Sequence, residues 1–167
     1  MNEMKKSLTE DEERILTAIA ERIFPATDTP GAVDAGAVDY ILIALGGAYA
    51  SQLPFYRSGL RAINRRAREM FGGGFAALSD AQQNSILSEF EAGTVPNWKK
   101  AAEFFETLRY HVLEGVFCEP QYGGNKDMTG WRLVDFPGQQ FGYADAYINK
   151  RVDLEPVAVD DSEGEGK

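Results

Sequence analysis

This chain of 167 residues has one cysteine, Cys118, and one histidine, His111. A lone thiol excludes an internal disulfide and a multi-thiolate metal site. A lone imidazole excludes the helical bundles that hold two metals with a histidine on each of two helices. Positive charge is scarce too: 17 Lys and Arg stand against 26 Asp and Glu, a formal charge of −9. A nucleic-acid binder needs the opposite sign, because neutralising phosphates supplies most of its affinity. No stretch approaches the ~20 apolar residues of a membrane span. Met1-Asn2-Glu3-Met4-Lys5-Lys6 leads into acidic residues without an apolar segment of signal-peptide type. Strand-like alternation, internal repeats, a Gly-x-Ser-x-Gly elbow, a dinucleotide fingerprint and a calcium loop are all missing. Gly72-Gly73-Gly74 lacks the Gly-Lys-Ser/Thr that would make it a phosphate loop. The chain does not read as an enzyme by itself.

What is present is helical periodicity and enough apolar content, 44%, for one core. The pattern predicts an all-α single domain over 7–150, a bundle of about five helices with a long irregular C-terminal loop section. From 151 to 167 the chain is acidic and poor in aromatics, and a disordered tail is expected. Thr9 and Glu12 form a capping box, Glu10 to Glu13 favour the helix dipole, and Ile15, Leu16, Ile19 and Ile23 make a buried stripe before Pro25. Asp34 is expected to cap a second helix with Val38, Ile41, Leu42 and Leu45 on its apolar face, ended by Gly46-Gly47.

A third helix is predicted over Phe55–Phe71, with Tyr56, Leu60, Ile63, Ala67 and Met70 inward. Arg57, Arg61 and Arg65 recur every four residues on its other side. That ridge is either a solvated face paired with the chain's own carboxylates or an electrostatic docking ridge for an acidic partner. Ser79 and Gln82 make a second capping box, opening a short helix with Ile86, Leu87 and Phe90. A fifth, from Asn97 to about Phe117, carries Trp98, Phe104, Phe105, Leu108 and Val112 and reads as the spine of the domain.

Pro120 stops that helix, and the residues beyond it are the most distinctive in the chain. Tyr122-Gly123-Gly124-Asn125 and Thr129-Gly130 are turn signals, yet Tyr122, Trp131, Phe136 and Pro137 are bulkier than a solvent loop needs. Such side chains either fold back on their own core or meet a partner. His111 and Glu114, three apart on one helix face, have nearly the spacing of a metal-binding pair in reversed order. The expected arrangement is instead a buried His–Glu hydrogen bond bracing the helix–loop junction. Cys118 is either a small buried hydrophobe or an intersubunit thiol.

His111-x-x-Glu114-Gly115, Pro120-x-Tyr122-Gly123-Gly124-Asn125, Gly130-Trp131 and Phe136-Pro137-Gly138 together resemble the signature of the gluconate 2-dehydrogenase subunit 3 family. Leu8-Thr9, Ile23-Phe24-Pro25 and Pro30-Gly31-Ala32 extend the likeness over roughly 8 to 138. The resemblance implies a non-catalytic small subunit of an FAD-dependent sugar or glycoside dehydrogenase, such as a glucoside 3-dehydrogenase, of the glucose–methanol–choline type. FAD would lie on the large subunit of a heterodimer, this chain holding no cofactor or metal, and electrons would leave through a cytochrome c subunit or another acceptor. The small subunit would mature and stabilise the flavoprotein by covering its apolar surface.

The interface residues implied are His111, Glu114, Tyr122, Gly123, Gly124, Asn125, Trp131, Arg132, Phe136, Pro137 and Gly138. Two alternatives stand beside this: a transient chaperone for a secreted flavoprotein, and a stand-alone helical metal-binding protein using His111 and Glu114. The location expected from the residues as written is cytoplasmic. A twin-arginine signal removed from this chain, or carried by the partner, would make it periplasmic.

Overall fold

The computed structural model describes residues 7–138 and 154–159. Among these residues the chain forms six helices and no strand: α1 (Glu10–Ile23), α2 (Ala37–Gly46), α3 (Leu53–Phe71), α4 (Asp80–Glu91), α5 (Ala101–Phe117) and α6 (Thr129–Leu133). Short 3-10 turns join several of them. The all-α bundle expected from periodicity is the observed architecture.

Two helix starts follow their local chemistry. The Thr9 hydroxyl accepts from the Glu12 amide at 3.2 Å, and the Glu12 carboxylate accepts from the Thr9 amide at 3.1 Å. Ser79 and Gln82 make the same reciprocal pair at the head of α4. Each box satisfies two amide donors that a helix start leaves without partners.

The start of α2 departs from expectation. Asp34 does not cap it; its carboxylate accepts from the Gly31 amide at 2.9 Å, and the cap is Gly36, at φ +76°. Residues before Gly36 already form a helical turn, with Ala35 and Ala37 donating to the carbonyls of Gly31 and Ala32. The chain can leave that turn and re-enter a helix only through a left-handed residue, which glycine supplies without steric cost. On α2 the buried face is Ala37, Tyr40, Ile41, Ala44 and Leu45, while Val38 and Leu42 are half-buried.

Helix α3 begins at Leu53, two residues ahead of the predicted start, with Pro54 in its first turn. Tyr56, Leu60, Ile63 and Ala67 are buried as its periodicity requires. Helix α5 begins four residues later than predicted, because Asn97 sits at φ +60° and breaks the run. Trp98 therefore packs from a loop, against Phe90, Phe55 and Phe104.

Helix α5 touches each of the other five helices and is the spine of the bundle. Phe104, Leu108, Val112 and Val116 are fully buried along it. Polar ties fix the helices around that core: Arg66 grips Glu89 through two hydrogen bonds of 2.7 and 2.9 Å between α3 and α4, and Arg22 pairs with Asp80 between α1 and α4.

Candidate functional site

The last turn of α5 leaves carbonyls without intrahelical donors. The loop behind it supplies them. Cys118 adopts an extended conformation, Pro120–Tyr122 turns the chain back, and Asn125 arrives at the helix end with φ +44°. The Asn125 amide donates to Gly115 O at 2.7 Å and its side-chain nitrogen to Cys118 O at 2.8 Å. Its side-chain oxygen accepts from the Gly130 amide at 2.8 Å. The Trp131 indole donates to Phe117 O at 2.8 Å. Three carbonyls at the end of α5 are thus satisfied by two loop side chains and one loop amide.

Such closeness dictates the glycines. A Cβ on Gly124 would stand 2.2 Å from Gly115 O, and one on Gly130 would stand 2.0 Å from Val116 O. The Lys126 amide also donates to Ala35 O at 2.9 Å, which ties the loop to the approach of α2. As far as Gly138, the section expected to be irregular is held by these contacts and contains α6.

The imidazole and the carboxylate of α5 do not meet. His111 is buried, and its Nδ1 lies 2.6 Å from the Tyr56 hydroxyl on α3. Both carboxylate oxygens of Glu114 accept from the Tyr49 hydroxyl, at 3.0 and 2.8 Å. The expected His–Glu bond fails because Tyr49, from the turn between α2 and α3, stacks on the imidazole at 4.5 Å and 9° and reaches Glu114 first. Tyr56 is fully buried, so its O–H needs an acceptor, and the imidazole Nδ1 provides one.

Burial holds His111 below the usual histidine range, although Glu114 pulls the other way. Burial pushes the phenols of Tyr56, Tyr40 and Tyr49 upward, and hydrogen bonding to Glu114 adds to this for Tyr40 and Tyr49. Burial thus favours a neutral imidazole and protonated phenols around the Glu114 side chain. Both residues proposed as a metal pair are engaged by tyrosines. Among the described residues no group of three or more His, Cys, Asp or Glu could hold a metal.

A family model described as gluconate 2-dehydrogenase subunit 3 matches residues 10–138. The chain belongs to that family. Curated proteins and solved structures returned no match. By its description the family consists of subunits of a dehydrogenase, so a chain of this family works beside another, larger subunit.

Of the family signature residues picked out in the sequence, His111, Gly124, Asn125 and Trp131 are buried. Glu114, Gly123, Pro137 and Gly138 are half-buried, and Tyr122, Arg132 and Phe136 are exposed. Trp131 is buried, with the exposed Phe136 edge-on to it at 5.1 Å. Cys118 is half-buried with its thiol 3.7 Å from Gly115 O, and burial pushes the thiol up, away from the reactive thiolate.

The arginine ridge meets internal carboxylates: Arg57 and Arg61 stand 3.8 and 3.4 Å from buried Glu12, and Arg65 stands 3.8 Å from Glu69. Of the stretch expected as a disordered tail, only 154–159 is described. There the Val157 amide donates to Pro137 O at 3.1 Å and Arg132 pairs with Glu155. The remaining tail residues, and the 150/151 boundary, lie outside the described residues.

Sequence reasoning missed Tyr40, Tyr49 and Tyr56 as members of a site. Tyr56 was read as core filler, although a buried phenol carries a polar group that must find a partner. That requirement was the available signal.

Proposed function

We propose that this chain is a non-catalytic accessory subunit that matures and stabilises an FAD-containing large subunit of a sugar or glycoside dehydrogenase. The family match supports the subunit role, and the single structural observation behind the docking role is an exposed aromatic and aliphatic face on a rigid frame. Tyr110 is 63% exposed, Tyr122 58% and Ile43 52%. Tyr110 lies one turn before Glu114 on α5, Ile43 lies one turn beyond Tyr40 on α2, and the Ile43 side chain rests against Gly123, next to Tyr122. Tyr110 also meets the His111 ring, on which Tyr49 stacks. Exposed large aromatics are the usual anchors of a subunit interface. Phe136, 47% exposed beside Trp131, extends the apolar surface at the far side of the loop.

Within this reading the signature residues have two tasks. Gly124, Asn125 and Trp131 hold the loop, and Tyr122, Arg132 and Phe136 present it. The FAD and the oxidation chemistry belong to the partner, and electrons pass on from there to a cytochrome c or another acceptor.

The test is co-expression of the tagged chain with its large subunit, followed by purification and an absorbance spectrum. Recovery of a flavin-containing complex is expected. A Tyr122→Ser/Phe136→Ser variant should cut that recovery by about tenfold, as loss of two anchors does, and Trp131→Ala should lower it as well. Undiminished co-purification of both variants would overturn the interface. A complex that forms and then dissociates would make the chain a transient chaperone instead.

A further inference from the structure

The geometry points to a second property of the cluster on α5: its phenols form a proton-coupled one-electron redox site, a sink for high-potential oxidants. Two tyrosines in it are each hydrogen-bonded to a base that can keep the phenolic proton. Tyr56 has the Nδ1 of His111 at 2.6 Å, and Tyr49 has the Glu114 carboxylate at 2.8 Å. The rings that carry these bonds are in contact. Tyr49 stacks on His111 at 4.5 Å, Tyr56 lies parallel to it at 5.7 Å, and exposed Tyr110 meets it edge-on at 5.9 Å. Inward, Tyr56 contacts Phe104 at 5.9 Å, and Phe104 contacts Trp98 at 5.6 Å. An unbroken line of aromatic rings therefore joins the surface at Tyr110 to the core.

Removing an electron from a phenol makes its proton strongly acidic, so oxidation in a buried site is favourable only where that proton has somewhere to go. Here it does. When a one-electron oxidant takes an electron from Tyr49, the Tyr49 O–H bond breaks and its proton crosses to Glu114. A neutral phenoxyl radical and a protonated carboxyl remain, and the oxidant is reduced by one electron. At Tyr56 the proton crosses to Nδ1, which leaves a phenoxyl radical beside an imidazolium. In both cases the charge of the protein rises by one while the proton stays inside. Re-reduction by one electron returns the proton to the phenol.

The test uses the full chain and a ruthenium tris-bipyridyl complex, photo-oxidised by a flash in the presence of an irreversible acceptor. Electron paramagnetic resonance after freezing should show a neutral tyrosyl radical that forms more slowly in D₂O. The triple variant Tyr40→Phe/Tyr49→Phe/Tyr56→Phe should lose the signal. Glu114→Gln, which keeps the ring packing and removes the strong base, should lose the Tyr49 part of it even if the triple variant fails to fold. An equal signal in Glu114→Gln, with the same rate in H₂O and D₂O, would overturn the proposal. So would a radical that survives in a folded triple variant, because it would then reside on exposed tyrosines without a built-in base.

Discussion

The two halves of α5 do opposite things with the same helix. In the N-terminal half, Phe104, Phe105 and Leu108 are buried, and Phe104 packs ring against ring on Phe55, Tyr56 and Trp98. In the C-terminal half, His111, Glu114 and Gly115 meet hydroxyls, an amide and a folded loop. The first half supplies stability by removing apolar area from water, which is non-directional and tolerant of shape. The second half supplies direction: each polar group there has one partner in one place, and losing that partner leaves a buried group unsatisfied.

The largest effect should come from the dry half. Phe104→Ala deletes a fully buried ring and should cost about 3–5 kcal/mol, read as a lower urea midpoint with an intact Tyr56–His111 pair if any fold remains. In the polar half, Asn125→Ala abandons a partly buried carbonyl and a buried amide and should cost about 2–4 kcal/mol. A change under about half a kcal/mol would mean that the clasp is incidental and the contrast between the halves false.

The pH dependence sharpens the contrast further. His111 is held below its unfolded value, so below about pH 6.5 the unfolded chain binds a proton that the folded chain refuses. Stability from this group is present in full above that value and is lost as pH falls toward the depressed folded pKa. Chemical denaturation between pH 7 and 5 should therefore show a slope that His111→Gln removes; equal slopes would place the imidazole in contact with solvent. The smallest effect belongs to the surface. Arg61, 72% exposed beside Glu12, should cost no more than about 0.5 kcal/mol as Arg61→Ala, by the same denaturation.

Legibility in the sequence divides along the same line. The capping boxes at Thr9 and Ser79 were readable because donor and acceptor are three residues apart. The buried stripes of α1, α3 and α5 were readable because burial follows a 3.6-residue period. Asp34 misled because a backbone turn completed by Gly36 outcompeted a side-chain cap, and α5 was overextended because Asn97, a residue that tolerates positive φ, was read as helix instead of turn. The tyrosine cluster needed residues 40, 49, 56, 111 and 114 from four parts of the chain. No local pattern could pair them, and the nearest in-sequence partner of His111, Glu114, proved the wrong one. The loop glycines were legible as turns but not as the points where backbone touches backbone.

The clasp of Asn125 on the end of α5 has a consequence for association kinetics. The Asn125 amide donates to Gly115 O of α5 and the buried Gly130 amide to the Asn125 side chain, so both should exchange only when the loop lifts from the helix end and should be strongly protected. A loop protected in that way reaches a partner with its shape already set. Little ordering entropy is left to lose at the encounter, so productive collisions depend on orientation alone and not on waiting for the loop to fold.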